Sequence, residues 1–174
     1  MLRKIIKGNI MFRTKEVAEI TGIGIPRLEV WIANGWVGPT IQKASGHGSK
    51  NIWDLADLYD VRLFREIVES GLSRSVANDF LSQGVLSGDI DPEDVRFVLY
   101  IRERGRIVPA IIYESDLLDV LDKVLSENNL NPDNIFIFNF AKIVEEVDSI
   151  LKKIDRRKYY RVKAEVRARF IGKK

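Results

Sequence analysis

The chain has 174 residues, 45% of them hydrophobic and 30% charged, with a formal net charge of +3. An apolar share of this size supports a packed core of one or two domains and argues against a disordered chain. The absence of cysteine excludes a disulfide framework, thiol catalysis and thiolate metal sites.

No apolar run reaches the roughly 18 residues that a membrane span needs. The basic start Met1-Leu2-Arg3-Lys4 lacks the apolar stretch of a secretory signal. The expectation is a soluble cytoplasmic protein. The charge is uneven along the chain: residues 1–80 carry +2, residues 81–151 carry −8 and residues 152–174 carry +9. The acidic middle reads as a solvated face that does not favour a phosphate backbone. The basic end implies an anionic partner, or an acidic surface elsewhere in the same chain.

Thr14 reads as the N-cap of a first helix, Lys15 to about Thr21, with Val17, Ala18, Ile20 and Thr21 facing inward. Gly22 ends it, and Pro26 suits the first turn of a second helix, which Asn34-Gly35 closes. Leu28, Trp31 and Ile32 give that helix its apolar stripe. Val37 and Ile41 on one side, and Ile52 and Trp53 on the other, flank a Gly/Ser-rich segment, which predicts a β-hairpin with a long loop. Asp54 caps a third helix to Ser70, and Ser73 starts a fourth that ends near Gln83-Gly84. Residues 84–92 read as a linker.

Beyond the linker the spacing predicts strands over 95–101 and 107–113, the second placed at an edge or bulge by Pro109. Ser115 caps a helix through Leu117, Leu118, Leu121, Val124 and Leu125. Residues 135–140 form a strand so continuously apolar that burial on both faces is expected. A helix from about Ala141 comes next. The residues after Tyr159 alternate at strand spacing yet equally suit a basic helix, which their good helix formers favour. The expected fold is α+β: a winged helix-turn-helix over residues 10–83, a small ββαβα unit over 93–157 that oligomerises or senses, and a basic tail over 158–174.

The first part resembles the MerR family of bacterial transcription regulators. Thr14, Val17, Ala18, Thr21, Gly22 and Ile23 match the family's first helix and turn. Leu28 and Trp31 match its second helix, and the step Gly35-Trp36-Val37 with Pro39 matches the segment after that helix. Asn51-Ile52-Trp53 with Asp57-Leu58 stand at the end of its wing, and Glu69-Ser70-Gly71-Leu72-Ser73 matches the next helix end. The resemblance covers under half of the chain and rests on order and spacing together. Glu29 stands where the family has arginine. Gly84, Gly88 and Pro92 interrupt the region where the family's dimer helix runs. Dimerisation is therefore expected through the helix from Ala141 or through the α/β unit.

The resemblance implies a recognition helix over residues 26–34 in the major groove and a wing over 42–52 on the flanking backbone. Arg27 then reaches bases or phosphates, against the plain alternative of a surface ion pair. Lys15 reaches the backbone from the first helix. Lys43, Ser45, His47, Ser49 and Lys50 crowd the wing tip, where glycines allow close approach to phosphate; the alternative is an ordinary loop. His47, the single histidine, has no second ligand or nucleophile to work with. Trp31 and Trp53 read as core, and Trp36 as partly exposed. Asp116, Asp119 and Asp122 read as a solvent face rather than a carboxylate cluster, and no phosphate-binding glycine motif occurs.

These residues predict a sequence-specific DNA-binding regulator that works without cofactor, metal or catalysis. It would bind double-stranded DNA as a homodimer or with a protein partner, away from membranes. The second reading is a DNA-processing or phage-type adaptor whose C-terminal part holds a protein. The third, an enzyme in the α/β unit, has no visible nucleophile–base pair or metal set.

Overall fold

The structure is a computed structural model that describes residues 11–46, 48–82, 91–113 and 116–170. It is mixed α and β, with seven helices and two small antiparallel sheets among the described residues. Up to residue 82 the elements are β1 (Phe12–Arg13), α1 (Thr14–Thr21), α2 (Ile25–Ala33), β2 (Ile52–Trp53), α3 (Leu55–Glu69) and α4 (Arg74–Ser82). After residue 90 come β3 (Phe97–Glu103), β4 (Arg106–Ile112), α5 (Leu117–Glu127), β5 (Asn134–Asn139), α6 (Phe140–Ile154) and α7 (Arg156–Phe170). The second run is the expected ββαβα order with one helix added. The ends expected at Gln83-Gly84, the cap expected at Ser115 and most of the expected linker lie outside the described residues.

Local chemistry explains the helix ends. Glu16 reaches back from the first turn of α1 to accept the backbone N–H of Arg13 at 2.9 Å. Arg13 is therefore the N-cap and Thr14 the first helical residue, one position earlier than the expected cap. Asp54 caps α3 by accepting from the Ala56 N–H at 3.1 Å, and Ser73 accepts from the Val76 N–H at 3.2 Å to start α4. Asp116 Oδ1 accepts from the Asp119 N–H at 3.3 Å at the start of α5.

The sheets depart from expectation twice. Ile52 and Trp53 pair with Arg13 and Phe12, not with Val37 and Ile41. The expected hairpin shrinks to one bridge, Gln42 to Ile52, because Trp53 turns inward against the helices and carries its strand toward β1. In the second sheet the order is β4-β3-β5. β3, not β5, is the strand buried on both faces; β5 lies at an edge with Ile137 exposed. Pro109 sits in β4, the other edge, where its missing N–H costs no ladder bond.

Alternation along β3 divides the core. Val98 and Tyr100 join a large cluster that also holds Phe12, Trp31, Trp53, Phe64, Phe80, Phe140, Val147 and Val166. Leu99 and Ile101 face a smaller cluster covered by Leu117, Val120, Leu121 and Val124 of α5. Leu118, expected inside, is 76% exposed; Val120 takes the inward place. The large cluster spans elements on both sides of residues 83–90, with Phe80 and Tyr100 rings 5.7 Å apart and Tyr59 and Phe140 rings 6.3 Å apart.

The basic C-terminal segment is a helix that starts at Arg156 and folds back on the molecule. Asp155 caps it by accepting from the Lys158 N–H at 2.9 Å, and Val162 and Val166 are buried. Its cations meet carboxylates from four other regions. Lys158 Nζ lies 2.5 Å from Glu16 of α1, Arg169 Nη1 lies 2.7 Å from Asp54, and Lys163 Nζ lies 2.6 Å from Asp148 and 2.5 Å from Glu93. Much of the expected anionic partner is thus intramolecular.

Candidate nucleic-acid interface

The turn between α1 and α2 is fixed from below. Gly22 has φ 68°, the left-handed region open to glycine. A Cβ there would come within 2.9 Å of Arg65 Nη1. That guanidinium needs the space, because it donates to the carbonyls of Thr21 and Gly22, each at 3.1 Å, and its Nε donates to Glu69 at 2.8 Å. Arg65 therefore ties the turn to α3. The Arg65 hydrogen bond is also the largest cause that holds the Glu69 carboxyl below its ordinary value, with the Arg27 charge adding to it.

α2 begins with Pro26 in its first turn, where a missing N–H breaks no helical bond. Only Leu28 and Trp31 of its nine residues are buried. Trp31 packs edge-on against Phe64 at 4.7 Å between ring centroids, a contact worth about 0.5–1.5 kcal/mol beyond area burial. Ile25, Arg27, Glu29 and Val30 remain exposed. The Arg27 guanidinium rests 4.9 Å from the centroid of the Trp31 ring, which limits the side chain's freedom without neutralising its charge.

The pairing Arg13–Ile52–Gln42 gathers three of the expected contacts at one small edge. Lys15 lies two positions after Arg13, Lys43 directly after Gln42, and Lys50 two positions before Ile52; all three lysines are exposed. The intervening loop is built by its own hydrogen bonds. Asn51 Oδ1 accepts from the Ala44 N–H at 2.8 Å. Ser49 Oγ accepts from the Ser45 N–H at 2.7 Å and donates to the Gly46 carbonyl at 2.8 Å. Ser49 therefore shapes the loop, and its hydroxyl proton is already engaged. Ser45 is exposed. His47 lies outside the described residues. Arg27 stands apart from this edge, on α2.

Three contributors were not expected. Arg13 is exposed beside Lys15; its place just before a helix was the available signal. Arg65 as the clamp of the turn and Lys158, whose ammonium lies 4.2 Å from the centroid of the Phe12 ring, arise from tertiary packing and leave no local signal.

A cleft of about 230 Å³ lies behind the end of α2, lined by Trp36, Val37, Asp57, Asp60, Leu81 and Ser82 among others. Trp36 is half-buried and stacks on Phe64 at 6.4 Å. Burial pushes the Asp57 carboxyl up to about 6, although the N–H groups of Thr40 and Asp54 donate to its Oδ2 at 3.0 and 2.7 Å and work against the rise. Among the described residues no group of three or more His, Asp or Glu side chains could hold a metal ion, and no helix is long and apolar enough to cross a membrane.

No family model matches the chain, and no curated protein matches it. The arrangement offers an outward face on α2 and, apart from it, a small basic edge; between them they expose cations, one carboxylate and apolar side chains to solvent.

Proposed function

We propose that residues 10–83 form a winged helix-turn-helix of MerR type and that the protein is a sequence-specific, DNA-binding transcription regulator. The observation that carries this reading is the exposure pattern of α2. Its two inward residues anchor it, and its outer face, with Ile25, Arg27, Glu29 and Val30, is exposed among the described residues. A helix held on a stem of this kind fits the major groove.

The composition of that face suggests what it reads. Val30 and Ile25 suit the thymine methyl group, and Glu29 suits the cytosine amino group as an acceptor. The carboxylate that departs from the family pattern is then a base-reading group rather than a repelled neighbour of phosphate. Lys15, Lys43, Lys50 and the loop N–H groups near Gly46 and Gly48 would position the module on the backbone. One such module binds weakly by itself, so a second copy or a protein partner is part of the proposal, held through the residues after 90. No cofactor and no catalytic step enter this reading.

Selection from random duplexes with the full chain tests it. The expected result is a short enriched motif whose binding falls at least tenfold in Arg27→Ala combined with Lys50→Ala. No enrichment, or binding unchanged in that variant, would sink the assigned surface.

The adaptor reading keeps one specific observation in its favour. Leu118 on α5 and Ile137 on β5 are exposed apolar side chains in the sheet unit, and such side chains suit a protein contact. Exchange of both for serine would then abolish association with a partner while leaving duplex binding intact.

A further inference from the structure

Five exposed cations lie within ten residues where α6 meets α7. Lys152 and Lys153 close α6, Arg156 and Arg157 open α7, and Arg161 stands one turn later; all five are exposed. Asp155 is the one carboxylate between residues 152 and 164, and its Oδ1 is engaged in capping α7. Tyr160, half exposed, lies beneath two of the charges, with the Lys152 ammonium 5.7 Å and the Arg156 guanidinium 5.8 Å from its ring centroid. The C-terminal end of α6 favours its lysines, but the N-terminal end of α7 disfavours Arg156 and Arg157. Like charges therefore crowd at a point where the helix field opposes part of them, and an anion docked there would relieve the repulsion.

The remaining cations of α7 mark the contrast, and Arg167 lies 3.6 Å from Glu93. Lys158, Lys163 and Arg169 turn toward the molecule and pair with Glu16, Asp148 and Asp54. The corner cations turn toward solvent. Through Lys158 the corner abuts the start of α1, where Arg13 and Lys15 are also exposed. This contiguity favours one of two anionic partners: a duplex engaged by α1 and the loop 42–52 would pass beside the corner, whereas an acidic protein has no such reason to lie there.

We infer that the α6–α7 corner is a second duplex-DNA surface, in which Lys153, Arg156, Arg157 and Arg161 contact the phosphodiester backbone next to the stretch held by the helix-turn-helix. The inference rests on the DNA-binding reading above. It assigns no base specificity to the corner; its effect is on affinity and on salt dependence.

The test uses the full chain with Lys153→Gln, Arg156→Gln, Arg157→Gln and Arg161→Gln, and a milder variant with Lys153→Gln and Arg157→Gln alone in case the fourfold change disturbs folding. Anisotropy of a labelled mixed-sequence duplex between about 50 and 200 mM salt gives the slope of log affinity against log salt, which flattens by about 0.9 for each phosphate that the protein no longer neutralises. The expected flattening is at least about 2 for the fourfold variant and about 1 or more for the double variant. If the unaltered protein shows no salt-dependent duplex binding, the DNA reading and this inference fall together. If Arg27→Ala with Lys50→Ala weakens duplex binding while the corner variants keep the full slope, this inference alone is overturned. Corner variants that lose binding to poly-glutamate but keep the duplex slope would give the corner to an acidic protein, and that too overturns it.

Discussion

Helices α2 and α7 both lie at the surface, but they are attached by different forces. α2 is held by two apolar side chains, Leu28 and Trp31, driven into the core. α7 is held by two valines and by ion pairs to α1, α6 and the cap of α3. The difference bears directly on function. Apolar anchoring leaves the charged side chains of α2 exposed, while ionic anchoring consumes part of the charge that composition would assign to a partner. The +9 of residues 152–174 thus overstates the charge open to an outside anion, since Lys158, Lys163 and Arg169 are paired within the molecule.

The comparison can be broken most strongly at Trp31. Trp31→Ala should cost about 3–5 kcal/mol, read as a lower urea midpoint, because it removes both the anchor of α2 and the partner of Phe64. A loss below about 1 kcal/mol would mean that α2 is held some other way.

Next comes Lys163, buried where α3, α6 and α7 meet. Burial works against its ammonium, but hydrogen bonds to Asp148 and Glu93 more than offset this and raise its pKa above the ordinary value. Its Nζ also lies 3.4 Å from the Tyr59 hydroxyl, which donates to Asp148 at 2.7 Å. Lys163→Met should cost about 3 kcal/mol by leaving Asp148 without its cation, and adding Asp148→Leu should recover part of the loss. Equal losses in the single and double variants would refute the ionic anchoring of α7.

Acid separates two ionic sites of opposite sign. Burial raises Glu93, but Lys163 and Arg167 outweigh it and hold its carboxyl below the ordinary 4.5. Its contribution is therefore present above that value and fades as pH falls through the lower folded value. Asp57 is raised from 3.8 to about 6. Its contribution is complete below 3.8 and is lost as pH rises through about 6, a change of no more than about 3 kcal/mol. Asp57→Asn should remove this falling component: the stability difference between variant and unaltered protein should shift in favour of the variant between about pH 4 and 6. A difference that stays constant with pH would show that Asp57 titrates normally.

The smallest effect belongs to Lys158, whose pair with Glu16 is partly exposed. Lys158→Ala should cost about 0.5–1 kcal/mol in low salt, with the pair's share of that loss fading as salt is added. A loss of several kcal/mol would make this surface pair a main attachment of α7.

The elements of this molecule were largely legible because their ends carry local chemistry. Gly22, Pro26, Asp54 and Ser73 act within a few residues of themselves, so a linear reading finds them. The misplacements have tertiary causes. The partner of Ile52 is residue 13, far back in the chain, and no turn signal points there. β5 is as apolar in sequence as a central strand, yet β3 takes the centre because it pairs on both sides. The candidate site was legible in its residue types, Lys15, Arg27, Lys43 and Lys50, all of which are exposed. Ser49 was legible as a loop residue but not as a loop organiser, since its bonds to Ser45 and Gly46 depend on the folded turn. The segregation of α7 into an inward paired side and an outward corner could not be read from an uninterrupted basic run.

Hydrogen exchange of the full chain, with and without a duplex recovered by selection, tests the central claim most directly. Added protection over residues 25–33 and 42–50 is the predicted result, because those segments should face DNA. Protection confined to α5 and β5, or no change anywhere on adding the duplex, would contradict it.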